Sequence, residues 1–294
     1  MANGTLKDRF RLVFSPDREE GVMGICDTTA IEVVHSDYLL ANKGKEAPIR
    51  FAALAAIYDP QTIRHLETLG VSCGWRCLEV GAGSGTIAKW LADRVGPTGH
   101  VLATDVDTRF LEPLRNPTLD VQAHNIGSDP LPDAKFDLIH TRLVLMHMRE
   151  RDTALPRMVS SLKVGGWLLV EEYDSCSIPP DPALSSGEVL LQTHVAMLRL
   201  LEDGGVNRRY GRLLPGLLRK SGLASVGASA QLFMWQSGSA GIAMMRANFE
   251  QLREAMIGAN YITPLQFEED LARLTNPSFM TPSSMLWSAW GRRL

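Results

Sequence analysis

Between Arg76 and Glu172, short apolar runs alternate with amphipathic stretches, and glycine or proline turns separate them. Arg76 to Val80, Val101 to Thr104, Val121 to Asn125, Phe136 to His140 and Trp167 to Glu172 have the length and apolar content of buried strands. Among them, Thr86 to Val95 has helical spacing, and Thr108 to Leu114 begins a second helix that Pro117 interrupts. A helix continues past the fourth run through Met146, and another covers Arg151 to Leu162. Parallel neighbours in a sheet require crossover connections, so this order predicts a doubly wound α/β fold with a mostly parallel sheet.

The flanks read differently. Residues 1–35 mix charges, Gly and Pro without sustained periodicity and predict an irregular arm. From Asp37 to Leu69 apolar residues recur at helical spacing, with Asp59-Pro60 as a break, which predicts a cap of two or three helices over 36–70. Beyond Asp174 the pattern gives a long lid-like helix from Ser185 to Asp203, a helix over Gly211 to Ser221 and a strand-like run from Ala224 to Trp235. Helices over Ala240 to Ile257 and Pro264 to Leu274 follow, and Phe279 to Trp290 supplies a last strand. The main domain is thus placed at 71–294, with helical lid insertions near 180–215 and 238–275.

Composition narrows the function classes. At 294 residues, 45% hydrophobic and 21% charged, the chain can bury a large core, and a formal net charge of −3 provides no field for nucleic acid. The first residues lack the apolar stretch of a secretory signal and no long uncharged apolar run occurs, so a cytoplasmic protein that does not insert into a membrane is expected. Cys26, Cys73, Cys77 and Cys176 have neither paired spacing nor neighbouring histidines, so no metal is expected, and Cys73 and Cys77 read as small hydrophobes. Oligomeric state is not readable from the sequence.

The sharpest chemical signal is Cys77-Leu78-Glu79-Val80-Gly81-Ala82-Gly83-Ser84-Gly85, a strand running into glycines that open a helix, with Asp105 ending the next strand. Glycines let backbone approach a ligand, and an acid about 20 residues on can bind two ribose hydroxyls, so an adenosine-containing ligand is expected. Glu79 would raise the cost of a pyrophosphate but not of an ammonium, and the spacing is GxGxG where dinucleotide sites have GxGxxG. Alternatively, the glycines only serve close helix–sheet packing, which leaves Glu79 and Asp105 without a task.

LEVGAGSG, TDVD, FDLIHTRLVLMHM and LKVGGWLLVEE, in that order over about Val71 to Asp174, resemble the motifs of class I S-adenosylmethionine-dependent methyltransferases. Within that family the chain is most similar to bacterial small-molecule methyltransferases with a helical N-terminal cap. The resemblance implies a seven-stranded Rossmann-like sheet and S-adenosylmethionine as cofactor, released as S-adenosylhomocysteine. It further implies that Gly81, Ala82, Gly83 and Gly85 wrap the methionine tail, with Glu79 beside it. Asp105 would bind the ribose, Val106 would lie against the adenine, Ile126 would also contact the cofactor, and Asn125 would accept from the adenine amino group where the family commonly has aspartate. His140 and Thr141 would sit near the sulfur. Tyr38 and Asn42, one helical turn apart, could close over the carboxylate, although Tyr38 equally fits ordinary helix packing.

Methyl transfer needs an aligned acceptor and excluded water, and phenols or ammonium groups must also lose a proton. His147, just past the fourth strand, is the first choice for a general base, against an interfacial histidine satisfied by a backbone carbonyl. Glu172 and Tyr173 are candidates for acceptor contacts, against salt links to cap arginines. His194 could reach in from the lid or face solvent. Met197, Met234, Trp235, Met244, Met245, Phe249 and Met256 could line an adaptable apolar pocket or simply form core. The expected reaction is methylation at O or N of a small, aromatic or otherwise apolar molecule. The rival readings are an NAD-linked oxidoreductase and a non-catalytic adenosine-ligand-binding relative.

Overall fold

The computed structural model describes residues 39, 40, 42, 44–177 and 191–294. The predicted arm, Tyr38 and the first part of the predicted lid helix lie outside them. The central sheet has seven strands: β1 (Arg76–Val80), β2 (His100–Asp105), β3 (Leu119–Ala123), β4 (Phe136–Arg142), β5 (Leu162–Asp174), β6 (Ala224–Gln231) and β9 (Met285–Arg292). Their spatial order is β3-β2-β1-β4-β5-β9-β6, with β1 to β5 parallel and β9 antiparallel to both neighbours. This is the doubly wound, mostly parallel Rossmann-like sheet that the strand–helix alternation predicts.

Alternation along the strands sends successive side chains to opposite cores. Cys77, Val101, Ala103 and Leu169 pack beneath α2 (Thr86–Val95) with Ile87, Leu91 and Val95. Leu78, Val80, Ile139, Leu168 and Val170 face a larger core. That core is built with α3 (Arg151–Ser161), α4 (Gln192–Asp203), α5 (Tyr210–Lys220), α6 (Ala240–Gly258) and α7 (Pro264–Leu274). The helix α1 (Ala47–Thr68) packs against α6. Among the described residues no helix is long and apolar enough to cross a membrane.

Several elements differ from the sequence expectation. Asp59-Pro60 does not break the cap: α1 runs through Pro60. An interior proline sacrifices one ladder hydrogen bond at about 3 kcal/mol, but fully buried Tyr58, Thr62 and Leu66 hold the helix on both sides of it. The stretch from Thr108 to Leu114 is two 3-10 turns, Thr108–Phe110 and Glu112–Leu114, because Pro113 cannot donate into a continuing α ladder. After β4 there is only a 3-10 turn, Leu145–His147. Leu143 has φ +57°, and the amides of Val144 and Leu145 donate to the Glu172 carboxylate at 3.1 and 2.7 Å, which takes the place of a helical ladder.

The two C-terminal strand-like runs each divide. β7 (Met234–Gln236) and β8 (Met280–Pro282) leave the main sheet together as an antiparallel ribbon. Phe233 and Ser283 fasten the two bends to each other: the Phe233 amide donates to Ser283 Oγ, and the Ser283 amide donates to the Phe233 carbonyl.

Candidate functional site

A cavity of about 560 Å³ lies at the carboxyl ends of β1, β2, β4 and β5, where the strand order reverses between β1 and β4. In open α/β sheets this is where ligands enter. Its walls come from the glycine turn after β1, the ends of β2 and β5, the loops after β3 and β4, and the inner faces of α1, α4 and α6.

The glycine end is built by local necessity. Gly81 and Gly83 have φ of +67° and +55°, and a Cβ there would lie 2.2 Å from Val144 Cγ2 and 2.8 Å from the Phe51 ring respectively. Conformation and space both exclude a side chain. Asp105 ties this turn to the end of β2. Its Oδ2 accepts from the Gly83 amide at 2.9 Å and its Oδ1 from the Asp107 amide at 3.0 Å. Burial raises its pKa and these backbone bonds oppose the rise. Each oxygen keeps acceptor capacity for a ligand hydroxyl. Glu79 and Asp105 line the same cavity, as do Ala82, Val106, Asn125, Ile126 and Asn42. The Asn125 side-chain oxygen already accepts from the Gly127 amide at 2.9 Å, which fixes its direction. Asn42 accepts from Arg50 at 3.0 Å, and Val106 is 67% exposed at the rim.

Four expected contacts are not on the cavity wall: Gly85, His140, Thr141 and Glu172. Gly85 is the N-cap of α2, where a Cβ would strike Leu114 and Leu111, so its role is packing. His140 sits behind Glu79, its cross-strand partner, with its Nδ1 2.7 Å from Glu79 Oε2. Thr141 is fully buried one residue further on, packed inside the sheet where the sequence expectation put it beside the sulfur. Glu172 is buried as the acceptor for the Val144 and Leu145 amides. Burial raises its pKa to about 8 against the pull of those amides. It braces the loop from behind the cavity wall.

The cavity wall also contains His147, Tyr173 and His194. Burial, with the charges of Arg50 and Arg151, lowers His147 to about 4, so its imidazole is neutral near pH 7. The Tyr173 hydroxyl donates to the Tyr58 hydroxyl at 2.7 Å. His194 is buried and does not face solvent, and burial together with the Arg208 charge lowers it to about 4. Of the proposed apolar lining, Met197 and Met244 reach the cavity. Trp235, Met245, Phe249 and Met256 are core, and Met234 is exposed. The sequence reading missed Arg50, Phe51, Leu54, Ser175, Arg208, Asn248 and Ser284, all on the wall. Only Arg50 and Leu54, one helical turn apart, carried a signal, since they share a face of α1.

Residues 78–170 match the family model described as a methyltransferase domain. The chain is 36% identical over 123 residues to the ubiquinone/menaquinone biosynthesis C-methyltransferase of Laribacter hongkongensis, covering 40% of this chain and 50% of that protein. It is 30% identical over 154 residues to the methyltransferase str3 of Strobilurus tenacellus, covering 51% and 53%. The chain thus spans about half the length of the curated relatives it matches. Among solved structures, the phosphoethanolamine N-methyltransferase 2 of Haemonchus contortus shares the fold at a TM-score of 0.52 and 14% identity, over 85% of this chain and 58% of that one. The YcgJ protein of Bacillus subtilis does so at 0.53 and 18%, over 80% and 99%. Motif, strand order and family match agree on one segment, and the chain carries a class I methyltransferase domain of the S-adenosylmethionine-dependent kind.

Proposed function

We propose that this protein transfers a methyl group from S-adenosylmethionine to an O or N atom of a small, aromatic or otherwise apolar molecule, and that it works in the cytoplasm. The observation that carries the reading is one cavity whose wall combines two kinds of surface: carboxylates and bare backbone from the glycine turn and the end of β2, and methionine, leucine and neutral histidines from the surrounding helices and loops. The glycine end fits the cofactor. Gly81 and Gly83 allow backbone contact with an amino-acid tail, Asp105 accepts from ribose hydroxyls, and Glu79 is a carboxylate partner for an ammonium. When bound, the cofactor supplies an electrophilic methyl on a sulfonium.

The remaining work falls to the protein. Leu40, Leu54, Met146, Met197, Leu198 and Leu201 exclude water, which favours an in-line displacement that disperses positive charge. In this reading the described residues of the 36–70 segment act as a cap, and the helices within 191–215 and 238–275 as a lid. Neutral His147 accepts a hydrogen bond from the acceptor's O–H or N–H and orients its lone pair. With a pKa near 4 it is a weak base, so it takes the proton only as the acceptor atom becomes positive during transfer.

The test is incubation with methyl-labelled S-adenosylmethionine and a panel of phenols, amines and carbon nucleophiles, scored by labelled product and by S-adenosylhomocysteine. Labelled phenols or amines support the reading. Label only on carbon would move the reaction to C-methylation, and binding of cofactor without transfer to any class would favour a non-catalytic protein.

A further inference from the structure

At and behind the cavity wall lies a cluster of buried polar groups, of which Glu79 and Arg142 reach the wall. Asp59, Thr62 and His65 come from α1, Glu79 from β1, His140 and Arg142 from β4, Glu171 from β5 and Ser288 from β9. His140 is fully buried, with Nδ1 2.7 Å from Glu79 Oε2 and Nε2 3.2 Å from Glu171 Oε2. Glu171 is itself pinned: its Oε1 accepts from Ser288 Oγ at 2.6 Å and its Oε2 from the Thr62 hydroxyl. Arg142 donates to Thr62 Oγ1 at 2.8 Å and to Asp59 Oδ1 at 2.7 Å.

A neutral imidazole has one N–H and one acceptor nitrogen, so between two carboxylates it leaves one bond unmade. The imidazolium donates to both. The cluster then holds three carboxylates, Asp59, Glu79 and Glu171, against two cations, Arg142 and His140. One negative charge is left over, and Glu79 is the carboxylate of the three that reaches the cavity wall.

We infer that His140 is a positioning residue whose imidazolium, anchored on Glu171, holds the Glu79 carboxylate at the cavity wall facing the ammonium of the cofactor's amino-acid tail. This rests on the cofactor reading above. Without His140, Glu79 would be a carboxylate at 4% exposure lacking its hydrogen-bonded cation, and would turn from its place on the wall.

The balance of charges agrees with the geometry. Burial works against a charged His140, but the Glu79 charge and the hydrogen bonds to Glu171 and Glu79 outweigh it and raise the ring to about 9. Burial likewise opposes charge on Glu171, and His140 and Arg142 outweigh it and lower that carboxyl to about 2. The remaining histidine facing the cluster, His65, is lowered by burial.

The experiment compares two ligands on the full chain by calorimetry. S-adenosylhomocysteine and 5′-methylthioadenosine share the nucleoside and thioether, but only the first has the amino-acid tail. His140→Gln keeps an amide near the position of Nε2, facing Glu171, and removes the donor to Glu79. His140→Asn does the converse. The expected result is that both variants weaken S-adenosylhomocysteine, His140→Gln by about tenfold or more and His140→Asn by less because it keeps a donor toward Glu79, while both leave methylthioadenosine within about threefold. Equal losses for the two ligands, equal losses in the two variants, or no loss would each overturn the assignment.

If His140→Gln does not fold, imidazole nitrogen spectra of the wild-type chain decide the matter. A doubly protonated His140 ring near pH 7.5 is expected, and a neutral ring overturns the inference. A wild-type chain that binds neither ligand would overturn the cofactor reading and this one with it. Wild-type binding with an unaffected His140→Gln overturns this one alone.

Discussion

The two ends of the cavity are specified in different ways. At the glycine end, the wall residues Glu79 to Ser84 and Asp105 are close in sequence or join neighbouring strands, and their geometry follows from positive φ, absent side chains and two backbone hydrogen bonds. At the end under the helices the wall is assembled from α1, β5, α4 and α6 together with the Val206–Arg208 loop, separated by long stretches of chain. The first end tolerates almost no change. The second is a set of flexible apolar side chains and neutral imidazoles that can be repacked without disturbing the first.

A paired substitution breaks or sharpens this contrast with the largest effect. Gly81→Ala places a methyl group against Val144 at a left-handed backbone position, and should cost about 2–4 kcal/mol and lower S-adenosylhomocysteine affinity by about 100-fold. Met197→Leu, at the other end, should cost less than about 1.5 kcal/mol and leave that affinity within about threefold. Thermal melts and calorimetry on the two variants check both, and similar losses would show that the ends are not independent.

A smaller effect concerns pH. His147 and His194 have folded pKa values lowered to about 4 from 6.5, so the unfolded chain binds more protons between those values and stability rises with pH across that window. His140, raised from 6.5 to about 9, acts in the opposite sense: its contribution is complete below 6.5 and disappears as pH rises through about 9. Glu172, raised from 4.5 to about 8, also makes stability fall with rising pH across its window. Maximum stability is therefore expected near pH 6.5. Glu172→Gln should keep the oxygen that caps the loop and flatten the fall above that pH, by roughly 2–4 °C in Tm. Melting curves from about pH 4 to 9 test this, and a variant that loses stability at pH 8 would contradict it.

What was legible in the sequence follows the same division. The glycine turn and Asp105 could be read because a short strand, a turn and an acid at the next strand end are constraints between near neighbours in sequence. The parallel order of β1 to β5 was readable for the same reason. Depth within the sheet was not: His140 and Thr141 stand at a strand end in sequence, yet the cross-strand register sets them behind Glu79 and Val80. Glu172 looked like a cleft carboxylate because nothing local shows that the amides of Val144 and Leu145 need an acceptor. Arg208, Asn248 and Ser284 reach the wall only through tertiary packing, which no spacing rule captures. Pro60 misled for the opposite reason, since buried packing of α1 outweighs a local breaker.

The most direct test of the cofactor assignment is calorimetric titration of S-adenosylhomocysteine and NADH into the wild-type chain and Asp105→Ala. The account predicts S-adenosylhomocysteine binding by the wild type, a loss of about 100-fold in the variant, which still melts in one cooperative transition, and no binding of NADH. Equal affinity of wild type and variant, or tighter binding of NADH, would contradict it.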